Sequence, residues 1–164
     1  MAFGHFVPDT LANMSLVLIT GMSGTGKTTV LIELSRRGYR TLDTDYDGWV
    51  LPDGTWDESR MSDLLSSEPS LVISGTVENQ GRFYDRFTAV ALLSAPIEVL
   101  IERVSGRTNN PYGTSNTDQC SIRQYVLEIE PLLRAGATVE LDGRRTVAEL
   151  ADAIGRLMTA SDQT

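Results

Sequence analysis

The chain has 164 residues, of which 41% are hydrophobic and 22% are charged. This balance is typical of one folded domain and excludes a globally disordered chain. The 14 Lys and Arg residues and 22 Asp and Glu residues give a net charge of −8, which argues against non-specific binding to nucleic acid or an acidic membrane. With one cysteine (Cys120) and one histidine (His5), an internal disulfide, structural zinc and histidine catalysis are not expected.

The amino-terminal segment differs from the rest of the chain. Residues 1–14 show no hydrophobic period and include Pro8, so we predict an extended leader there. Residues 15–160 are predicted to form a single domain. No run reaches the roughly 18 apolar residues of a membrane span, and the start lacks the pattern of a signal peptide. We therefore expect a cytoplasmic protein that does not bind membranes, as a monomer or a homodimer.

Short apolar runs at five places predict strands. The run Leu16-Val17-Leu18-Ile19 ends in a glycine turn, which is typical of a strand buried on both faces of a parallel sheet. The other predicted strands cover residues 40–42, 71–73, 90–93 and 137–141.

Helical periods lie between these strands. Helices are predicted over residues 27–37 and 96–106, and a last helix begins at a T-x-x-E capping box formed by Thr146 and Glu149. The alternation predicts an α/β fold with three layers and a mainly parallel sheet, whose ligand binds at the carboxyl ends of the strands. Residues 106–119 are polar and without period, which indicates a loop that is either functional or disordered.

A glycine-rich motif follows the first predicted strand. Residues 21–28, Gly-Met-Ser-Gly-Thr-Gly-Lys-Thr, match G-x-x-x-x-G-K-[ST] between a strand and a helix, and Lys27 is the only lysine in the chain. Backbone N–H groups of such a loop cradle phosphates, the lysine reaches the β- and γ-phosphates, and Thr28 binds Mg²⁺. The alternative is a turn that matches by chance. The predicted ATP or GTP contacts are Gly21, Ser23, Gly24, Thr25, Gly26, Lys27, Thr28 and Thr29.

Two acidic residues follow the second predicted strand. Asp43 and Asp45 would lie at the same sheet edge as the phosphates, where carboxylates can hold Mg²⁺ or accept a proton from a hydroxyl nucleophile. A solvated acidic turn is the alternative interpretation.

Two arginines lie at the carboxyl end of the helix predicted over residues 96–106. Arg103 and Arg107 are four residues apart, so they share a helical face and could both stabilise a transferring phosphate. Ordinary surface arginines are the alternative.

Candidate acceptor contacts come from two further segments. Asn79, Arg82 and Tyr84 follow the third strand and could line an acceptor pocket, or could begin a polar helix whose phenylalanines pack inward. Trp49, with Trp56, could form an aromatic platform for an acceptor ring, or could simply cover the sheet edge.

Together these motifs resemble the small P-loop kinases of the shikimate kinase, adenylate kinase and nucleoside-monophosphate kinase group, over about residues 15–158. The resemblance implies a P-loop NTPase fold with a five-stranded parallel sheet in the order 2-3-1-4-5 and a mobile lid at about residues 107–120. It also implies that Asp43 lies nearer the metal, that Asp45 acts as base or acceptor anchor, and that the loop with Asp142 and Arg144 cradles the nucleotide base. The chain departs from shikimate kinases after the third strand, where it has a single glycine, Gly75.

The leading hypothesis is an ATP- and Mg²⁺-dependent phosphotransferase acting on a hydroxyl of a small-molecule acceptor, a metabolite or an antibiotic. The catalytic residues would be Lys27, Asp45, Arg103 and Arg107. One alternative is a nucleoside-monophosphate kinase that binds the acceptor phosphate through Arg60, Arg82 and Arg86. An alternative of another class is a nucleotide-binding module with slow hydrolysis or none.

Overall fold

The computed structural model of the chain describes residues 15–106 and 115–159, and its strands alternate with helices. The strands are β1 (Ser15–Thr20), β2 (Thr41–Asp43), β3 (Ser70–Ser74), β4 (Ala89–Ser94) and β5 (Val139–Asp142). The α-helices are α1 (Lys27–Arg36), α2 (Glu58–Ser67), α3 (Ile97–Ser105), α4 (Asn116–Glu128), α5 (Glu130–Gly136) and α6 (Val147–Thr159), and a 3₁₀ helix covers Gln80–Arg86. None of the helices in these two ranges combines the length and apolar character needed to cross a membrane.

The strands form one parallel sheet in the order β2-β3-β1-β4-β5. β1 is central and pairs with β3 and β4, so that Val17 lies beside Val72 and Ala89. All six residues of β1 are buried, as expected for a strand covered on both faces. The predicted fold class and strand order are confirmed.

The core is divided between the two faces of the sheet because successive strand residues point to opposite sides. On one face, Val17 and Ile19 of β1 pack with apolar residues of α1 and α6. On the other face, Leu16 and Leu18 pack with residues of α2, the 3₁₀ helix and the segment that links β2 to α2. The helices therefore form two layers around the sheet, as predicted.

Three helices were not predicted from the sequence: α2, α4 and α5. In α4 only Ile122 is buried, so the helix carries no apolar stripe that a period search could detect. Ser115 caps α4 by accepting a hydrogen bond from the N–H of Asp118 at 3.0 Å. Residues 116–120 of the predicted lid thus lie in α4, whereas residues 107–114, with Arg107, lie outside the described residues.

The predicted capping box of α6 is half formed. The hydroxyl of Thr146 accepts a hydrogen bond from the N–H of Glu149 at 3.1 Å. The carboxylate of Glu149 does not return to Thr146 but accepts a hydrogen bond from Arg145 Nε at 3.1 Å.

Candidate active site

The P-loop, residues 21–28, leads from the carboxyl end of β1 into α1. Gly24 and Gly26 have φ angles of 88° and 97°, which residues with a Cβ rarely adopt. A Cβ on Gly24 would also lie 3.0 Å from the carbonyl oxygen of Leu100. The N-terminus of α1 therefore follows a tight loop whose N–H groups are suited to bind an anion.

Lys27, in the first turn of α1, folds back over this loop. Its ammonium donates hydrogen bonds to the carbonyl oxygens of Gly21 at 2.5 Å and Met22 at 3.2 Å. Its positive charge thus lies beside the first two residues of the loop, close to where the motif predicts that phosphates bind.

Thr28 and Asp43 meet across the carboxyl edge of the sheet. Thr28 Oγ1 donates a hydrogen bond to Asp43 Oδ2 at 3.1 Å, and Asp43 Oδ1 accepts one from the N–H of Asp45 at 3.1 Å. A hydroxyl and a carboxylate are hard oxygen ligands, and Mg²⁺ is commonly held by one or two such groups together with substrate phosphates and water. The donor set at the predicted metal residues therefore fits Mg²⁺.

Asp45 and Lys27 line one pocket of about 290 Å³. Desolvation by the surrounding protein raises the pKa of Asp45 above its ordinary value, the charge of Asp43 raises it further, and Lys27 opposes the rise. A carboxylate with a raised pKa is a better proton acceptor for a hydroxyl nucleophile. The remaining lining residues of this Lys27 pocket are Gly21, Met22, Ser23, Thr76, Tyr125 and Ile129.

Arg103 joins the P-loop to the loop that follows β5. Its guanidinium donates hydrogen bonds to the carbonyl oxygens of Gly24 at 3.1 Å and Gly143 at 2.9 Å. The side chain borders a second pocket of about 280 Å³, which shares no lining residue with the Lys27 pocket. The other residues of this Arg103 pocket are Gly24, Thr25, Gly26, Thr29, Val30, Gly143, Arg145, Val147 and Leu150.

Asp142 and Arg144 pair with each other beside this pocket. Arg144 donates to Asp142 through its backbone N–H and through its guanidinium, with a closest contact of 2.7 Å. Because of the Arg144 hydrogen bonds, the pKa of Asp142 falls to about 2. Neither side chain lines the Arg103 pocket, whereas Arg145, which was not predicted, does.

A larger cleft of about 770 Å³ adjoins the Lys27 pocket and shares Thr76, Tyr125 and Ile129 with it. Tyr84, a predicted acceptor residue, lines this cleft, and its hydroxyl accepts a hydrogen bond from Gln80 Nε2 at 2.8 Å. The remaining lining residues of this Tyr84 cleft are Asp53, Gly54, Val77, Glu78, Gln80, Gly81, Leu132 and Leu133.

The two tryptophans lie in the core. Trp56 is fully buried and meets Phe83 edge to face, with ring centroids 6.0 Å apart. Trp49 is 7% exposed, and the guanidinium of Arg60 lies 3.7 Å from its ring centroid. Neither ring has a free face, so the tryptophans cover the sheet edge and the aromatic platform is not formed.

Asn79 and Arg82 likewise bind other parts of the fold. The side-chain amide of Asn79 accepts from the N–H of Trp56 at 2.9 Å and donates to its carbonyl at 3.1 Å. Arg82 forms an exposed ion pair with Glu58 at 2.9 Å. Neither residue lines the Tyr84 cleft, and the buried Phe83 and Phe87 match the alternative prediction of a polar helix with inward phenylalanines.

Gly75, directly after β3, packs against the side chains of Thr44 and Trp56, so its position is not open to a ligand. A Cβ at this position would overlap the hydroxyl of Thr44 and lie 3.2 Å from the ring of Trp56. The next residue, Thr76, donates to the carbonyl of Gly21 at 2.7 Å and accepts from its N–H at 3.2 Å. Thr76 therefore fastens β3 to the P-loop, a role that only its position at a strand end could have indicated.

The comparisons with known proteins agree with this geometry. A family model described as an AAA domain matches residues 17–124. A shikimate kinase from Acinetobacter baumannii in complex with shikimate is 20% identical with a TM-score of 0.69, covering 95% of this chain and 99% of that chain. A gluconokinase from Sinorhizobium meliloti is 17% identical with a TM-score of 0.61, covering 90% and 93% of the two chains.

A sugar kinase from Janibacter sp. is 19% identical with a TM-score of 0.57, covering 91% of this chain and 96% of that chain. No curated protein sequence matches the chain. The predicted resemblance to small P-loop kinases is confirmed, and at these identities it establishes the P-loop NTPase fold. Because the family model covers more than half of the chain, the chain belongs to the AAA domain family.

Proposed function

We propose that the protein is an ATP- and Mg²⁺-dependent phosphotransferase that moves the γ-phosphoryl group to a hydroxyl of a small molecule. The observation that carries the proposal is the pocket shared by Lys27 and Asp45, which adjoins the Tyr84 cleft. A phosphate-binding group and a proton acceptor thus lie beside a space for a second substrate. Positioning and charge stabilisation are the main requirements of phosphoryl transfer.

The nucleotide would bind with its phosphates on the P-loop and its base in the Arg103 pocket. Lys27 would exchange the carbonyls of Gly21 and Met22 for phosphate oxygens and stabilise the charge that develops on the moving group. Thr28 and Asp43 would hold Mg²⁺, which supplies positive charge to the triphosphate. Arg103 would act as a positioning residue, because its guanidinium already joins the two loops around the base.

Asp45 would be the base. The acceptor hydroxyl oxygen attacks the γ-phosphorus, the bond from that phosphorus to the β–γ bridging oxygen breaks, and the hydroxyl proton passes to the Asp45 carboxylate. ADP and a phosphorylated acceptor are the products. The raised pKa of Asp45 supports this role, since a carboxylate with a higher pKa is a stronger base toward the hydroxyl proton.

The structural neighbours support a small-molecule acceptor. They are named as a shikimate kinase, a gluconokinase and a sugar kinase. A nucleoside monophosphate is less well supported, because Arg60, Arg82 and Arg86 do not line the Tyr84 cleft. A cytoplasmic location would supply the ATP that this activity needs.

The test is ADP release from Mg·ATP against a panel of nucleoside monophosphates, shikimate-like acids, sugars, amino alcohols and hydroxylated antibiotics. Lys27→Ala serves as the blank, and we expect it to lower acceptor-stimulated ADP release by at least about 10²-fold while the thermal midpoint stays unchanged. Arg36→Ala, on the exposed side of the same helix, is the matched control and should retain activity.

Full activity of Lys27→Ala would contradict the proposal. Tight nucleotide binding without acceptor-stimulated ADP release would instead favour the nucleotide-binding module.

A further inference from the structure

The Tyr84 cleft has an apolar wall formed by α4 and α5. Tyr125 is 52% exposed and Leu132 is 67% exposed, although both are large hydrophobic residues. Ile129 and Leu133 extend the same wall. A ligand with an apolar face would remove this surface from water, which favours its binding.

Carboxylates lie on the side of the cleft contributed by the loops. Asp53 and Glu78 both line it. Asp53 Oδ1 accepts hydrogen bonds from the N–H and the hydroxyl of Thr55, and these bonds hold the pKa of Asp53 below its ordinary value. Glu78 is exposed and forms no ion pair within the part of the chain that the structure describes. Within residues 15–106 and 115–159, neither carboxylate has a cationic partner in the cleft.

The nearby arginines are used elsewhere. Arg60 stacks on Trp49 and donates to the carbonyl of Asp47 at 3.0 Å. Arg82 pairs with Glu58, outside the cleft.

Arg86 is engaged in the same way. It donates to the hydroxyls of Ser62 at 3.2 Å and Ser66 at 2.8 Å. Across residues 15–106 and 115–159, no Arg or Lys side chain lines the cleft.

We infer that the acceptor is a hydroxylated amine with an apolar face. Asp53 and Glu78 would attract its ammonium group, the wall of Tyr125, Ile129 and Leu132 would cover its apolar face, and its hydroxyl would point toward Asp45. A carboxylate or phosphate in the same cleft would meet two negative charges and no compensating cation from these elements. The inference rests on the proposed function, because it identifies the cleft as the acceptor site.

The test compares three probes that share one carbon skeleton and differ in a single functional group, which sets their charge. Phenylethanolamine is cationic, phenylethanediol is neutral and mandelate is anionic, and each carries a hydroxyl and a phenyl ring. Their affinities are measured by calorimetric titration into the full chain saturated with Mg·ADP. We expect phenylethanolamine to bind at least about tenfold more tightly than mandelate, with phenylethanediol between them.

Charge-removing variants locate the origin of this preference. Glu78→Gln and Asp53→Asn keep the shape of the side chains, and Asp53→Asn keeps the oxygen that accepts from Thr55. In the variant with both substitutions, the affinities for phenylethanolamine and mandelate should differ by no more than about threefold. Asp63→Asn removes one negative charge from an exposed site on α2 that does not line the cleft, and it should leave the preference unchanged.

Three results would overturn the inference: equal or tighter binding of mandelate, a preference that survives removal of both carboxylates, or no binding of any probe.

Different results would contradict the kinase proposal. A preference for the amine without ADP release on any hydroxylated amine would contradict phosphoryl transfer and leave the charge preference standing. ADP release stimulated most by an acidic acceptor such as gluconate would support the kinase proposal and contradict the inference that the acceptor is an amine.

Discussion

The phosphate-binding side and the acceptor side of the molecule are built in different ways. The P-loop is made by the backbone of eight consecutive residues, 21–28, and by a helix that begins inside them. The Tyr84 cleft is made by residues from the loop before α2, the segment that leads from β3 into the 3₁₀ helix, and α4 with α5. The first site is therefore local in sequence, whereas the second exists only after distant segments have packed.

This difference determines what a substitution does. On the phosphate side, a change of one side chain removes one interaction with the nucleotide and leaves the loop in place. On the acceptor side, residues such as Trp56 and Asn79 hold the segments together, so a change there alters the shape of the cleft. Substitutions at Trp56, Asp45, Arg103 and Arg144 separate these two kinds of effect.

The largest expected effect is on stability, at Trp56. Trp56→Ala should lower the free energy of unfolding by about 3–5 kcal/mol, because it leaves a cavity in the cluster with Phe83. Urea denaturation followed by circular dichroism measures this loss. Tyr46→Ala, at a side chain that is 63% exposed, should change stability by no more than about 0.5 kcal/mol.

Trp56→Phe is a milder substitution that can still be measured if Trp56→Ala does not fold. It should cost less than the alanine variant, since it keeps a ring against Phe83 and removes an indole N–H that has no partner among the described residues. Wild-type stability of Trp56→Ala would contradict the assignment of this side chain to the core.

The next effect is on turnover, at Asp45. Asp45→Asn should lower kcat by about 10²-fold or more, because the amide cannot accept the hydroxyl proton. Affinity for ADP should remain within about twofold of wild type. A kcat equal to that of wild type would exclude Asp45 as the base.

The pKa of Asp45 gives an independent check. Asp43→Asn removes a negative neighbour and should lower the pKa, whereas Lys27→Ala removes a positive one and should raise it further. Carboxyl-carbon NMR titration measures both shifts. The acid limb of the wild-type kcat profile should lie at a higher pH than the ordinary pKa of an aspartate, since activity is lost as pH falls through the raised pKa.

A smaller effect is expected at Arg103. Arg103→Gln should raise the KM for ATP about tenfold, because charged hydrogen bonds to Gly24 and Gly143 are lost, and it should change kcat little. Arg123→Gln, which breaks an exposed pair with Glu98, is the control. A kcat loss of 10²-fold at saturating ATP would instead indicate direct contact with the transferring phosphate.

The smallest effect is expected at Arg144. Arg144→Gln should move the pKa of Asp142 from about 2 back toward its ordinary value, because the charged hydrogen bonds are lost. The stabilising contribution of this pair is present above the pKa of the unfolded chain and is lost as pH falls toward the lowered pKa. The KM for ATP should change by less than about twofold, whereas Arg145→Gln, inside the Arg103 pocket, should raise it more. Equal effects of the two variants would contradict this distinction.

The sheet and the phosphate side could be predicted because their signals are local. The apolar run before Gly21 predicted a strand buried on both faces, and the motif that follows singled out Lys27 and Thr28 as candidates. Asp43 could be placed near Thr28 because both follow the carboxyl ends of parallel strands. Each of these inferences depends only on backbone geometry and neighbouring residues.

The acceptor side could not be predicted in the same way, because residue type does not reveal a partner. Arg82 has the chemistry of a phosphate ligand, but Glu58 is 24 residues away in sequence and only the fold brings the two together. Trp49 has the chemistry of a ring platform, but Arg60 covers it. Tyr125 and Ile129 were missed because α4 has no amphipathic period.

Ile129 lies between α4 and α5 as the C-cap of one and the N-cap of the other, and with Tyr125 it forms a wall of both the Lys27 pocket and the Tyr84 cleft. A ligand that shifts these side chains in one space changes the free energy of binding in the other. Thermodynamic linkage then requires reciprocity: whatever factor the nucleotide applies to acceptor affinity, the acceptor applies to nucleotide affinity. We therefore expect the two substrates to bind cooperatively, with each apparent dissociation constant depending on the concentration of the other.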